Sequence, residues 1–185
     1  MFILYMYSCS VQKRSTSPEI IDPYIKVAKL ELQDLLHELP EGSEINFGFN
    51  NRSEFNSAIL GEPFSLYRLE NDKLVKSSII TIPLIVNEKF ISLLRIDSIE
   101  NELHIVDFGA SELASEIQSE TQKYSNLSFN GILRLYSLYI DFIIMSSENV
   151  YYYVPLSSAR AFMRDSGFRN YGLLTFNELI KIVAK

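Results

Sequence analysis

The pattern of apolar and polar positions predicts that the folded part of the chain opens with a long amphipathic helix. This helix is expected to begin with Asp22 as its N-cap and Pro23 as its first residue, because proline is favoured at that position. Apolar side chains then recur at helical spacing as far as Leu39. Pro40 and Gly42 follow directly and are expected to end the helix.

A short second helix and four strands are predicted to follow. The helix covers residues 51–60, with Ser53 as its cap and Gly61 just after its end. The strands cover residues 64–70, 77–86, 89–97 and 102–108. Because the connections between them are short, these strands are expected to pair as antiparallel neighbours.

The C-terminal part is predicted to hold three more helices and one long hairpin. The helices cover residues 111–124, 157–167 and 174–185. Thr175 is the expected cap of the last one. The hairpin joins a bent strand over residues 131–147, with a bulge near Ser137, to a strand over residues 149–156. The predicted fold class is therefore α+β, with a largely antiparallel sheet of about five or six strands and helices packed on one side.

Length and charge narrow the classes of protein that fit this pattern. The chain has 185 residues, 47% of them hydrophobic, which favours one domain with a real core. Its formal net charge of −6 makes nucleic acid an unexpected partner, because a phosphate backbone would be repelled. The charge is uneven, since residues 1–150 carry 12 basic and 21 acidic side chains whereas residues 151–185 carry 5 and 2.

Cysteine and histidine are too few for several kinds of site. The chain has one cysteine, Cys9, and two histidines, so neither an intrachain disulfide nor a zinc site can be built from them. No cofactor is predicted. No apolar run approaches the ~18 residues of a membrane-spanning helix.

The strand pattern also brings charged groups together around His104. A four-residue turn at 98–101 would place Arg95 opposite His104 and Asp97 opposite Glu102. One interpretation makes His104 a general base oriented by a carboxylate, as in a hydrolase. The other is a solvated cross-strand ion cluster, which we favour because no nucleophile or metal-ligand set accompanies the histidine.

The same strand register would place the acidic side chain of Asp107 among apolar neighbours. It would lie in a row with Pro83 and Ser92 on a mostly apolar face of the sheet. Alternatively, its carboxylate could accept backbone N–H groups where the helix at Ser111 begins.

Two groups of side chains are candidates for contact with a protein or peptide partner. The first is a tyrosine-rich hairpin that carries Tyr136, Tyr139, Tyr151 and Tyr153. The second is a basic helix and the residues after it, with Arg160, Arg164 and Arg169. The arginines are also explained by the helix dipole, which favours cations near a helix C-terminus.

The first residues have the features of an export signal. The sequence Met6-Tyr7-Ser8-Cys9 resembles the lipobox of bacterial lipoproteins, and a polar segment follows it. The resemblance implies that Cys9 is the lipid attachment point, that residues 1–16 are signal and tether, and that the domain spans residues 17–185. The alternative is that Phe2 to Tyr7 is an apolar first strand or a frayed terminus of a cytosolic domain.

These observations lead to three expectations about function. The first is a non-catalytic protein- or peptide-binding domain, held at a bacterial cell envelope by a lipid anchor and not by a spanning helix. The second is a cytoplasmic acidic protein of the immunity or adaptor type that binds a basic partner. The third, which we favour least, is a hydrolase that uses His104 with Asp97 or Glu102.

Overall fold

The computed structural model describes residues 18–169 and 171–184, and in this part of the chain it shows one domain with a single mixed sheet. The helices are α1 (Pro18–Glu38), α2 (Arg52–Asn56), α3 (Ser111–Lys123), α4 (Ser157–Asp165) and α5 (Phe176–Val183), with a 3-10 helix at Ser43–Phe47. The strands are β1 (Ile59–Leu60), β2 (Phe64–Glu70), β3 (Lys73–Val86), β4 (Lys89–Ile99), β5 (Glu102–Gly109), β6 (Ser128–Leu135), β7 (Ile140–Ser147) and β8 (Val150–Pro155).

The sheet is larger than the five or six predicted strands. Its order is β5-β4-β3-β2-β6-β7-β8, and β1 pairs with β3. Every neighbouring pair is antiparallel except β2 and β6, which run parallel. The α+β character and the largely antiparallel pairing agree with the sequence-based expectation.

One of the two additional strands comes from the region predicted as one bent strand, and the other is β1. Leu135 pairs with Ile140, and residues 136–139 between them form a turn, so the predicted bulge near Ser137 is wrong. Leu138 donates its backbone N–H to the carbonyl of Leu135 at 3.1 Å. Because this turn contains no Gly, Pro, Asn or Asp, the shift in apolar phase resembled a bulge and not a reversal of the chain.

Two-residue turns connect four of the antiparallel pairs, β2–β3, β3–β4, β4–β5 and β7–β8. They are Asn71-Asp72, Asn87-Glu88, Glu100-Asn101 and Glu148-Asn149, all with φ between 47° and 71°. Two consecutive residues with positive φ are the mark of the type I′ hairpin turn. The predicted four-residue turn at 98–101 is therefore wrong, because β4 continues to Ile99 and the turn has two residues.

The first two helices differ from their predicted limits. The helix α1 begins at Pro18, so Pro23 lies inside it and Asp22 is not its cap. In α2 the cap is Asn51, whose side chain accepts a hydrogen bond from the Glu54 N–H at 2.9 Å, and not Ser53. Residues 59–60 form β1 instead of continuing the helix, because they pair with β3.

Helices cover both faces of the sheet, which corrects the expectation that they pack on one side. Leu93, Ile132 and Ile143 pack with Ala114 and Ile117 of α3. The residues next to them in the strands face the opposite way, because successive side chains alternate between the two faces. That second face is covered by α1 on the β3–β5 side and by α4 and α5 on the β6–β8 side.

Candidate functional site

A groove of about 910 Å³ lies along α3 on the face that this helix covers. Its other borders are the start of β4 and the first turn of α4. Gln118 fixes one side, because its amide donates to the Glu88 carbonyl at 2.6 Å and its oxygen accepts the Phe90 N–H at 3.0 Å. The groove is therefore built between firmly connected elements.

The α3 wall of the groove carries a short repeat that the sequence-based reasoning did not use. The helix reads SELASEIQSETQ, with Ser-Glu pairs at 111–112, 115–116 and 119–120. Residues four apart lie on the same side of a helix, so the pairs form one row, and all six residues line the groove. The four-residue spacing was visible in the sequence, but the groove beside it was not.

Glu116 connects α3 to the start of α4. Its Oε1 accepts hydrogen bonds from the backbone N–H and the hydroxyl of Ser157, both at 2.6 Å. The N-cap residue of α4 is Leu156, whose side chain cannot accept a hydrogen bond. Glu116 therefore takes the place of a local cap and puts a negative charge at the positive end of the helix.

Glu120 is the most buried acid of the groove, with 7% of its surface exposed. The Arg160 Nη2 donates to its Oε1 at 2.5 Å. Its Oε2 is enclosed by the protein and accepts no hydrogen bond from the described residues, and the Nζ of Lys123 lies 3.7 Å from it. Glu120 is therefore already paired with two cations, Arg160 and Lys123.

Asp141 is the second buried acid of the groove and belongs to β7. Arg134 donates to both of its oxygens, from Nε at 2.7 Å and from Nη2 at 2.9 Å. This hydrogen bonding raises the pKa of Arg134 further above its ordinary value. The backbone N–H of Asp141 also donates to the hydroxyl of Ser158 at 3.1 Å, which ties β7 to α4.

The predicted tyrosine surface is divided by the structure. Tyr136 and Tyr139 are 53% and 87% exposed in the β6–β7 turn, and Tyr151 is 52% exposed near the β7–β8 turn, at the other end of β7. Tyr153 is a correction, because it is buried and its ring packs against Phe176. It is a core residue and is not available to a partner.

The three predicted arginines are in different surroundings. Arg160 is half-buried against Glu116 and Glu120. Arg164 is exposed beside Asp165, with 3.6 Å between Nε and Oδ1, and Arg169 is exposed beyond the end of α4. Arg160 therefore belongs to the groove, whereas a role of Arg164 and Arg169 in partner binding stays a prediction.

His104 lies near one predicted carboxylate, Glu102, and has a closer partner that was not predicted, Glu31. The strand register pairs it with Asp97 and not with Arg95. Its Nδ1 lies 3.1 Å from Oε1 of Glu31 in α1, and its Nε2 lies 3.8 Å from Oε2 of Glu102. Glu31 also accepts the backbone N–H of Ile105 at 2.7 Å, so this carboxylate attaches α1 to the edge of β5.

Asp107 does not lie on an apolar face. It pairs with Arg95 in the strand register and forms an ion pair with it, and its side chain is 50% exposed. A bulge in the β4–β5 pair between Arg95 and Ile96 changes the register from the predicted one. This ion pair also replaces the predicted contact between Asp107 and the first turn of α3.

Comparison with protein-family models, with curated proteins and with solved structures finds no match. Within residues 18–169 and 171–184, no group of three or more His, Cys, Asp or Glu residues is arranged to hold a metal ion. In the same part of the chain, no helix is both long enough and apolar enough to cross a membrane. Cys9 and the rest of the lipobox-like sequence lie outside the described residues.

Proposed function

We propose that this protein is a non-catalytic binding module that takes a basic segment of a partner protein into the groove along α3. The observation that carries the proposal is the row of three glutamates on α3, next to the buried Asp141. Hydroxyls of the interleaved serines add hydrogen-bonding groups of the kind that contact a peptide backbone or an ammonium group.

Charge supports a cationic partner. Glu112 is exposed, and no ion pair of this side chain occurs among the described residues, whereas Glu116 and Glu120 share Arg160. The net charge of −6 attracts a basic segment over longer distances and speeds its association. A lysine or arginine that enters the groove would meet the exposed carboxylate of Glu112.

A set of peptides of equal length tests this proposal. Fluorescein-labelled decapeptides of lysine and alanine, of glutamate and alanine, and of serine and alanine are titrated with the full chain and followed by fluorescence anisotropy. We expect saturable binding of the lysine peptide, weakened by salt, and none of the other two. Absence of lysine-peptide binding, or equal binding of all three, would contradict the proposal.

Substitution of a single exposed acid locates the binding site. Glu112→Gln removes one charge from the groove, and we expect it to weaken the lysine peptide about three- to tenfold. The matched control is Glu102→Gln, because the Glu102 side chain is 82% exposed at the start of β5. Glu102 pairs with the last residue of β4, whereas the groove lies at the first residues of β4. Equal effects of the two variants would mean that only net charge matters.

We further propose that Cys9 holds this module at a bacterial cell envelope through a lipid anchor, as the lipobox-like sequence implies. An acyl chain contributes about 0.8 kcal/mol for each buried CH₂, so a multiply acylated cysteine anchors a domain firmly. Growth with a labelled fatty acid tests this, and we expect label on the native chain but not on Cys9→Ser. An unlabelled native chain would favour the cytoplasmic immunity- or adaptor-type protein, which would use the same groove.

A further inference from the structure

We infer that the β6–β7 turn, residues 136–139, is an aromatic anchor that extends the groove and holds Tyr139 ready for the basic segment of the partner. The inference rests on the proposed function, because it assigns a second contact to the same bound segment. Three properties of Tyr139 support it: the backbone conformation, the exposure of the side chain, and the short distance along the chain to the groove.

The backbone of Tyr139 is in the left-handed region, with φ 56°. Glycine and asparagine adopt this region readily, whereas a bulky aromatic residue there is an outlier. Among the described residues with positive φ, the others are Gly, Asn, Asp, Glu and Ala, and Tyr139 is the aromatic one. Such outliers concentrate at functional sites, where the strain is compensated by another gain.

Within the described chain, packing of the Tyr139 ring does not compensate for the backbone strain, because this residue is 87% exposed. The turn around it is nevertheless fixed. Leu138 packs against the core on the α4 and α5 side and donates its N–H to Leu135. A ring on a fixed turn loses little conformational freedom when a partner binds, which is the usual advantage of tyrosine in binding surfaces.

Along the chain, the turn ends two residues before a residue of the groove. Tyr139 stands two residues before Asp141, so their Cα atoms are about 7 Å apart along the start of β7. Asp141 lines the groove, and its backbone is tied to Ser158 at the groove border. Tyr136, on the other side of the turn, is also exposed and follows Leu135, where β6 ends.

The exposed rings of the turn and the carboxylates of the groove together define the chemistry of the occupant. A lysine or arginine can place its aliphatic stem on a tyrosine ring, or its charge over the ring face, and still reach a carboxylate. An acidic segment would instead be repelled by the exposed charge of Glu112. The occupant that fits both the groove and the turn is therefore an extended basic segment of a protein.

The test separates the ring of Tyr139 from its backbone. Tyr139→Gly removes the ring and relieves the left-handed strain, and Tyr139→Ala removes the ring but keeps an L-residue in that conformation. We expect both variants of the full chain to bind the lysine decapeptide at least about tenfold more weakly. We expect the melting temperature of Tyr139→Gly to equal or exceed that of the native chain.

The matched control is Tyr151→Ala, because this exposed tyrosine lies at the other end of β7. We expect it to leave the affinity unchanged. Undiminished binding by Tyr139→Gly would overturn the inference. A lower melting temperature of Tyr139→Gly would also overturn it, because the ring would then stabilise the fold. If Glu112→Gln weakens binding and Tyr139→Gly does not, the groove proposal stands and only the anchor fails.

Discussion

Arg134 holds both carboxylate oxygens of Asp141 across the β6–β7 pair, with each residue directly opposite the other. The two side chains are 23% and 13% exposed. Removing one partner of such a pair leaves the other charge poorly solvated. We expect Asp141→Asn to lower the free energy of unfolding by about 2–4 kcal/mol, measured by urea denaturation.

The chain offers a matched control for this pair. Arg68 and Glu70 also form an arginine–carboxylate ion pair, through one hydrogen bond along β2, and both side chains are about half exposed, at 47% and 48%. Exposed pairs contribute little, so Glu70→Gln is expected to change the unfolding free energy by less than about 1 kcal/mol. Similar losses in the two variants would show that burial of Asp141 is not the cause.

Gly131 is required where β2 and β6 run side by side. A Cβ on this residue would overlap the backbone carbonyl of Ser65, and the φ of 134° is also unfavourable for other residues. We expect Gly131→Ala to lower the free energy of unfolding by about 3 kcal/mol or more. The comparison is Gly42→Ala, whose Cβ would meet no atom of the described residues within 4 Å at φ 89° and which should cost only about 1 kcal/mol.

Thr175 and Glu178 form a reciprocal cap at the start of α5. The Thr175 hydroxyl accepts the Glu178 N–H at 3.4 Å, and Glu178 Oε2 accepts the Thr175 N–H at 2.7 Å. We expect Thr175→Ala to destabilise the protein by about 1 kcal/mol, measured by urea denaturation. An unchanged midpoint would mean that the packing of α5 alone determines its stability.

The same cap is expected to make the stability of the fold depend on pH in the acidic range. Hydrogen bonds from the backbone and side chain of Thr175 lower the pKa of Glu178 below its ordinary 4.5. A lowered pKa in the folded state gives stability that is present above the unfolded pKa and is lost as the pH falls through the folded one. The difference in stability between the native chain and Glu178→Gln should therefore be present at neutral pH and disappear in acid.

The buried Tyr153 is expected to make the stability of the fold fall at alkaline pH, whereas Glu178 makes it fall at acidic pH. Burial raises the pKa of its phenol from 10.0 to about 12, so the folded state favours the neutral form. The stability that this provides is complete below pH 10 and is lost as the pH rises towards 12. When the pH is raised from about 9 to 11, we expect the free energy of unfolding to fall less for Tyr153→Phe than for the native chain. Urea denaturation at each pH measures this difference. Tyr139→Phe removes the same hydroxyl from an exposed ring, and a matching change there would contradict this explanation.

Local patterns in the sequence predicted local structure well. The turns at Asn71-Asp72 and Asn87-Glu88, strand β2 and the Thr175 cap are all found where they were expected. In each of these cases the responsible residues are neighbours in sequence. The β6–β7 turn was missed for the complementary reason, because Tyr139 adopts a conformation for which tyrosine gives no signal.

Contacts between distant residues were not predictable from spacing. Glu31 reaches His104 across 73 positions, and Arg160 reaches Glu120 across 40. The Ser-Glu repeat of α3 could be read from the sequence, but the groove needs β4 and α4 beside it. The burial of Tyr153 depends in the same way on α5, whose position no local pattern defines.

The parallel pair of β2 and β6 divides the sheet into two halves that are each assembled from sequence neighbours. Strands β1–β5 and strands β6–β8 meet through the pairs Ser65–Gly131, Leu66–Ile132 and Tyr67–Leu133. The paired residues of this junction are 66 positions apart, so closing it costs more chain entropy than closing a hairpin. A chain cut between α3 and β6 would give two fragments with complementary open edges, which suits this domain to fragment complementation.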